Sequence, residues 1–587
     1  LKFCECGSSN NIDFVPTSLQ SCLYHDTIHN TQITKSLFVF VNIKMGNSSS
    51  ALSSSSSLPI DSAFDLPSPL PYWPSGGGFA KGRIDLGGLE VCQVTTFKKV
   101  WTVYEGGQDN LGATFFEPSS VPEGFSILGF YAQPNSRKLF GWTLVGKDLS
   151  GDSLRPPVDY LLLWSGKSKK VANNGGETGY FWQPVPPEGY NAVGLLVTTS
   201  AAKPPLDKIR CVRSDLTDQS ESDAQIWETD GFSVSSSKPL NRGTKASGVS
   251  VGTFLANSSN PTLACLKNNK FDFSCMPSKL QIDALFQAYA PWIYFHKDEK
   301  YLSSSVDWFF SNGALLYKKG DESNPVPIEP NGANLPQGES NDGLYWLDLP
   351  VASDARERVK GGDLQGMEVY LHVKPVFGGT FTDIAVWMFY PFNGPSRAKL
   401  KLGTIPLGKI GEHIGDWEHF TLRISNFSGK LHRMYLSQHS RGSWIDPSEI
   451  EFQGGGNKPV AYASLNGHAM YSKPGLVLQG KDNVGIRNDT GKSEKLIDTA
   501  VRFKVVSAEY MGGGEVEEPA WLNYLRHWGP KIDYGHEDEI RGVEKIMVGE
   551  SLKNVFRSAI KGLPNEVFGE EGPTGPKLKR NWLGDED

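Results

Sequence analysis

Between about residues 66 and 235 the chain runs in short apolar or alternating apolar–polar stretches, residues 90–97, 125–131 and 139–145 among them, separated by Gly, Asn and Pro. Side chains alternate between the two faces of a strand and turn residues bound it, so this pattern predicts antiparallel strands. One stretch is repeated. Phe115-Phe116-Glu117-Pro118, then Pro122-Glu123-Gly124-Phe125 and Gly129, returns as Phe181-Trp182-Gln183-Pro184, then Pro187-Glu188-Gly189-Tyr190 and Gly194. Each copy is a turn leading into a strand, which predicts a domain over residues 66–240 built by repeating a β-sheet unit, a β-prism or a sandwich.

The pattern then changes. Residues 241–274 are rich in Ser, Gly, Lys and Asn and read as a linker. A second domain is expected over 275–572, opening with an amphipathic helix at 280–290 that Pro291 ends. Strands are expected at 292–295, 369–373, 384–390, 419–424, 434–437 and 461–464, and a short helical turn at 519–525. The fold class is therefore mainly β: a repeat-built domain followed by a β-sandwich with a few short helices. Residues 45–65 read as a Ser-rich flexible tail and 573–587 as a loose charged one.

Charge and cysteine content narrow the function. The formal net charge of −7 comes without a basic block, which sets nucleic acid aside as a partner. Of seven cysteines only Cys92, Cys211, Cys265 and Cys275 follow Met45, too few for a disulfide scaffold. No apolar run approaches the roughly 20 residues of a membrane span, and no signal peptide is legible. A cytoplasmic protein, peripheral on membranes at most, is the expectation. Met45-Gly46-Asn47-Ser48-Ser49-Ser50 fits the N-myristoylation pattern, with Gly46 as acceptor and residues 1–44 as translated upstream sequence rather than native protein.

The densest chemistry lies in Gly411-Glu412-His413-Ile414-Gly415-Asp416-Trp417-Glu418-His419-Phe420. The run after it has strand composition, so Asp416 and Glu418 should share one face, and His413 can fold over that face from a glycine-bounded turn. Two carboxylates and an imidazole on one side suit a divalent cation, Mg2+, Ca2+ or Mn2+, completed by further oxygens and water. His419 and His439 read as supporting or core residues, and His468, between Gly467 and Ala469, as a residue that faces the site.

Through residues 65–71, Tyr131-Ala132-Gln133-Pro134, the 411–420 run and residues 464–471, the chain resembles the plant branch of the vacuolar protein sorting-associated protein 62 family. That resemblance implies a trafficking role without naming an activity. Residues 384–420 and 460–472 also resemble the necrosis-inducing cytolysins, β-sandwich proteins whose bound divalent cation helps engage sphingolipid sugar head groups. Their metal ligands fall on His413, Asp416 and Glu418, with Asn393 in the Phe389-to-Pro395 turn as a fourth oxygen donor, and their His-Gly-Gly-Tyr segment is similar to His468-Ala469-Met470-Tyr471.

These readings point to a non-catalytic membrane-associated or trafficking-related protein, with a cation site recognising anionic or glycosylated lipid heads or glycans, and with trafficking proteins as further partners. A vacuolar sorting scaffold without ligand chemistry and a metal-dependent hydrolase are the alternatives. Against the hydrolase, the chain has no Walker loop, no Gly-x-Ser-x-Gly and no His-Glu-x-x-His.

Overall fold

Three three-stranded antiparallel units make up most of the first half: Phe97–Val103 with Ala113–Pro118 and Tyr131–Pro134; Asp159–Lys167 with Thr178–Val185 and Leu196–Thr198; and Thr217–Thr229 with Phe232–Pro239 and Phe254–Ala256. The second strand is central in every unit. In each first strand one residue drops out of register just before a tryptophan: Val100 before Trp101, Leu163 before Trp164, Ile226 before Trp227. Such a bulge re-aims the next side chain. The three indoles accordingly meet in one aromatic core, with ring centroids 6.1, 6.0 and 5.4 Å apart. This is the arrangement of a β-prism.

The structure is a computed structural model that describes residues 57–586, apart from 169–175, 257–262, 339, 401–402, 440, 482–483, 513, 533–535, 547–548, 551–552, 555 and 558–571. Gly46 and the 1–44 segment lie outside the described residues. The third prism unit corrects the linker assigned to 241–274, which instead carries strands Gly248–Val249, Phe254–Ala256 and Ala264–Lys267. Its copy of the repeat lacks the Pro-Glu-Gly turn, and the register places Thr253 where the first two copies have Gly129 and Gly194. The glycines are needed where the units converge, since a Cβ on Gly129 would lie 2.7 Å from the Gly194 Cα and from Thr253 Cγ2. Cys265 and Cys275 are free and buried.

The second half is organised on a six-stranded sheet. Its strands are β1 (Val369–Val376), β2 (Phe381–Asn393), β3 (His413–Ser425), β4 (Leu431–Gln438), β5 (Arg441–Ile445) and β6 (Phe503–Ala508), in the order β5-β4-β3-β2-β1-β6. One face packs on helix α1 (Lys279–Tyr289) and on a four-stranded sheet containing Trp292–Phe295 and Val460–Ala463, through Ile282, Phe286, Ile293, Val386, Phe420 and Ala461. The other face carries Trp387, Phe389 and Trp417 against Phe309, Trp521 and Trp528. With both faces covered, every residue of β2 is buried, which is why its sequence does not alternate.

The C-terminal segment is not loose. Trp582 stacks on His372 with centroids 3.7 Å apart, and Lys374 on β1 donates to the carbonyls of Asn581 (2.5 Å) and Gly584 (2.9 Å). Residues 57–65 are likewise held: Phe64 packs edge-on against Phe140, 5.5 Å away. Among the described residues no helix is long and apolar enough to cross a membrane.

Candidate functional site

The β2–β3 register sets Asn393 opposite His413, Tyr390 opposite Asp416 and Met388 opposite Glu418. Gly415 interrupts the ladder with φ +73°, and a Cβ there would meet the Trp528 side chain at 2.8 Å, so only glycine lets β3 turn its acidic face inward. Asp416 and Glu418 are 6 % and 7 % exposed. Asp416 Oδ2 lies 3.0 Å from His468 Nδ1, while Oδ1 lies 3.8 Å from His413 Nε2. His468 stacks on Tyr390 at 3.9 Å and its Nε2 donates to the Tyr301 carbonyl at 2.9 Å, so both ring nitrogens are engaged. Ser437 Oγ donates to Glu418. Asn393, His413, Asp416, Glu418 and Ser437 border a cavity of about 480 Å³, also lined by Trp387, Gln479, Lys579 and Glu586.

A family model for vacuolar protein sorting-associated protein 62 matches residues 60–586. The chain belongs to that family. No curated protein matches this chain significantly. Solved structures give partial likenesses with low scores. One is GNIP1Aa from Chromobacterium piscinae, 19 % identical with TM-score 0.26, covering 35 % of this chain and 40 % of that one. A second is Necrosis and Ethylene inducing Protein 2 from the causal agent of cocoa's Witches Broom disease, 12 % identical with TM-score 0.17, covering 32 % and 67 %. A third is NLPPya in complex with glucosamine, 11 % identical with TM-score 0.20, covering 48 % and 88 %. The chain thus spans less than half the length of GNIP1Aa.

Electrostatics in the cavity separate the two carboxyl groups. Burial drives Glu418 upward, and repulsion from Asp416 pushes it further, well above the carboxylate range. Burial also works to raise Asp416, but the His468 hydrogen bond and the neighbouring imidazoles outweigh it and hold that carboxyl low. His468 mirrors this: burial disfavours its charge, yet Asp416 and Glu299 raise it above its ordinary value. For His413, burial wins over the attraction of Asp416 and lowers it.

As to a metal, no group of three or more His, Cys, Asp or Glu side chains is gathered in cation-holding geometry among the described residues. The residues that could hold one are Asn393, His413, Asp416 and Glu418, which line the same cavity. His413 Nδ1 is buried without a hydrogen-bond partner among the described residues. Asn393 spends its amide N–H groups on the carbonyls of Gly411 (2.6 Å) and Gly394 (3.1 Å), leaving Oδ1 unclaimed among the described residues. A hard divalent ion takes oxygen donors of this kind from Asn393, Asp416 and Glu418.

The remaining histidines separate. His419 points toward the C-terminal segment, 3.1 Å from Glu586 and 2.9 Å from Asn581, and stacks on Trp387. His439 bonds Asn488 at 3.1 Å. Among the described residues neither imidazole hydrogen-bonds Asp416 or Glu418. Sequence reasoning missed Ser437, Tyr301 and the C-terminal residues, which reach the site from distant strands and loops and leave no local pattern.

Proposed function

We propose that this protein is a non-catalytic, trafficking-related protein whose Asp416–Glu418 cavity binds a polyhydroxylated head group, of a lipid or a glycan, through a divalent cation held by Asn393, His413, Asp416 and Glu418. The observation that carries the reading is a concentration of orphaned polar atoms. Among the described residues Trp387 Nε1, His413 Nδ1, Trp417 Nε1 and Gln479 Oε1 are all buried without partners, and all four residues border the same cavity. Buried polar atoms in folded proteins are nearly always satisfied, so a cluster of exceptions calls for a ligand or water that supplies both donors and acceptors. Hydroxyl groups do both. The family name agrees with work at membranes.

The test is sedimentation of the full chain with vesicles containing a glycosylated lipid, with Ca2+ or Mg2+ present and again after chelation. Chelation and His413→Ala should each release the protein into the supernatant. Binding that survives both overturns the proposal.

A further inference from the structure

The acidic face is only part of this cavity. Lys579 from the C-terminal segment and Arg441 at the start of β5 also line it. Lys579 is half-buried and has no carboxylate or hydrogen-bond partner for its ammonium among the described residues, and Arg441 likewise has no ion-pair partner there.

Other cations nearby are matched. Arg423 holds Asp383 at 2.8 Å and Asp585 at 2.5 Å; Arg242 holds Asp585 at 3.1 Å; Lys374 has its two carbonyls. The acids that could neutralise Lys579 from the same segment are already taken: Asp585 by those arginines, and Glu586 by Thr421 at 2.5 Å, Asn581 at 2.8 Å and His419 at 3.1 Å. A half-buried ammonium costs free energy unless it is paired. The cavity therefore combines a carboxylate pair that suits a cation with two positive side chains that suit an anion.

We propose that the bound head group carries a phosphate, which pairs with Lys579 and Arg441 while its oxygens complete the shell of the cation at Asp416 and Glu418. This rests on the cation-and-head-group reading above. Phosphate oxygens are preferred ligands of Mg2+ and Ca2+, and a guanidinium and an ammonium are the standard cationic partners of phosphate. A phosphoinositide-like lipid and a soluble phosphorylated polyol present the same chemistry.

The experiment uses the full chain loaded with Mg2+ and titrated with myo-inositol 1-phosphate or with myo-inositol, beside sedimentation with phosphatidylinositol or phosphatidylcholine vesicles. The phosphorylated polyol should bind at least about tenfold more tightly than the free polyol. Lys579→Met should lose that preference while Mg2+ binding is unchanged, and Lys579→Arg should keep it. Retention by phosphatidylinositol vesicles alone supports the proposal and assigns the phosphate to a lipid. Equal affinity for the two polyols, no preference for phosphatidylinositol vesicles and intact Mg2+ binding overturns the phosphate inference and leaves the cation reading standing. Absence of Mg2+ binding overturns both.

Discussion

Deletion of residues 573–587 should lower the unfolding free energy by at least about 5 kcal/mol, read as a fall in the urea midpoint of the whole chain. Trp582 is 5 % exposed and stacked on His372, and truncating a buried tryptophan costs about 3–5 kcal/mol by itself. The same deletion strips Lys374, whose side chain is fully buried, of both carbonyl acceptors, and takes Asp585 from Arg423 and Arg242. Leaving a buried ion unpaired costs about 3–5 kcal/mol, and these losses share partners and do not simply add. Burial opposes the charge of Glu586, yet His419, Lys374 and Thr421 pull its carboxyl down to about 2, so the carboxyl is ionised across the neutral range. Thr244 N–H donates to the Leu583 carbonyl at 2.9 Å, so the segment also ties the third prism unit to the central sheet. Trp582→Ala isolates the packing loss, with an expected cost of about 3–5 kcal/mol. A wild-type midpoint in the truncated chain would show the segment to be dispensable.

His468→Gln should cost about 3–5 kcal/mol near neutral pH, and the deficit should depend on pH. His468 is raised above its ordinary 6.5 despite burial, because Asp416 and Glu299 face it. Its contribution is therefore fully present below 6.5 and is lost as pH rises through the higher folded value. Asp416 is lowered from 3.8, so its contribution is present above 3.8 and fades as pH falls through the lower folded value. Wild type and variant should differ most between those two limits and converge at alkaline pH. Urea unfolding across that range checks the shape, and a flat difference would mean that the His468–Asp416 pair is not ionic.

The strand content and the acidic face were legible because both are local. Period-two patterning and β-branched content mark β3, and alternation puts Asp416 and Glu418 on one side of it. The helix before Pro291 is read from its apolar spacing and its stop signal, and it spans Lys279–Tyr289. The third prism unit was not legible, because what defines it is a bulge before Trp227 and a glycine contact across the axis, and neither requires the Pro-Glu-Gly turn that marks the first two copies. The C-terminal segment was misread for a related reason: its charges looked solvated in sequence, whereas their partners, Arg423, Arg242 and His419, lie more than 150 residues away. Asn393 came into register with His413 only through the β2–β3 pairing.

Calorimetric titration of the full chain with Mg2+, Ca2+ and Mn2+, beside His413→Ala and Asp416→Asn, tests the central claim most directly. Saturable heat with at least one ion, lost in both variants, is the expected result. No heat with any of the three, or heat that both variants retain, would contradict it.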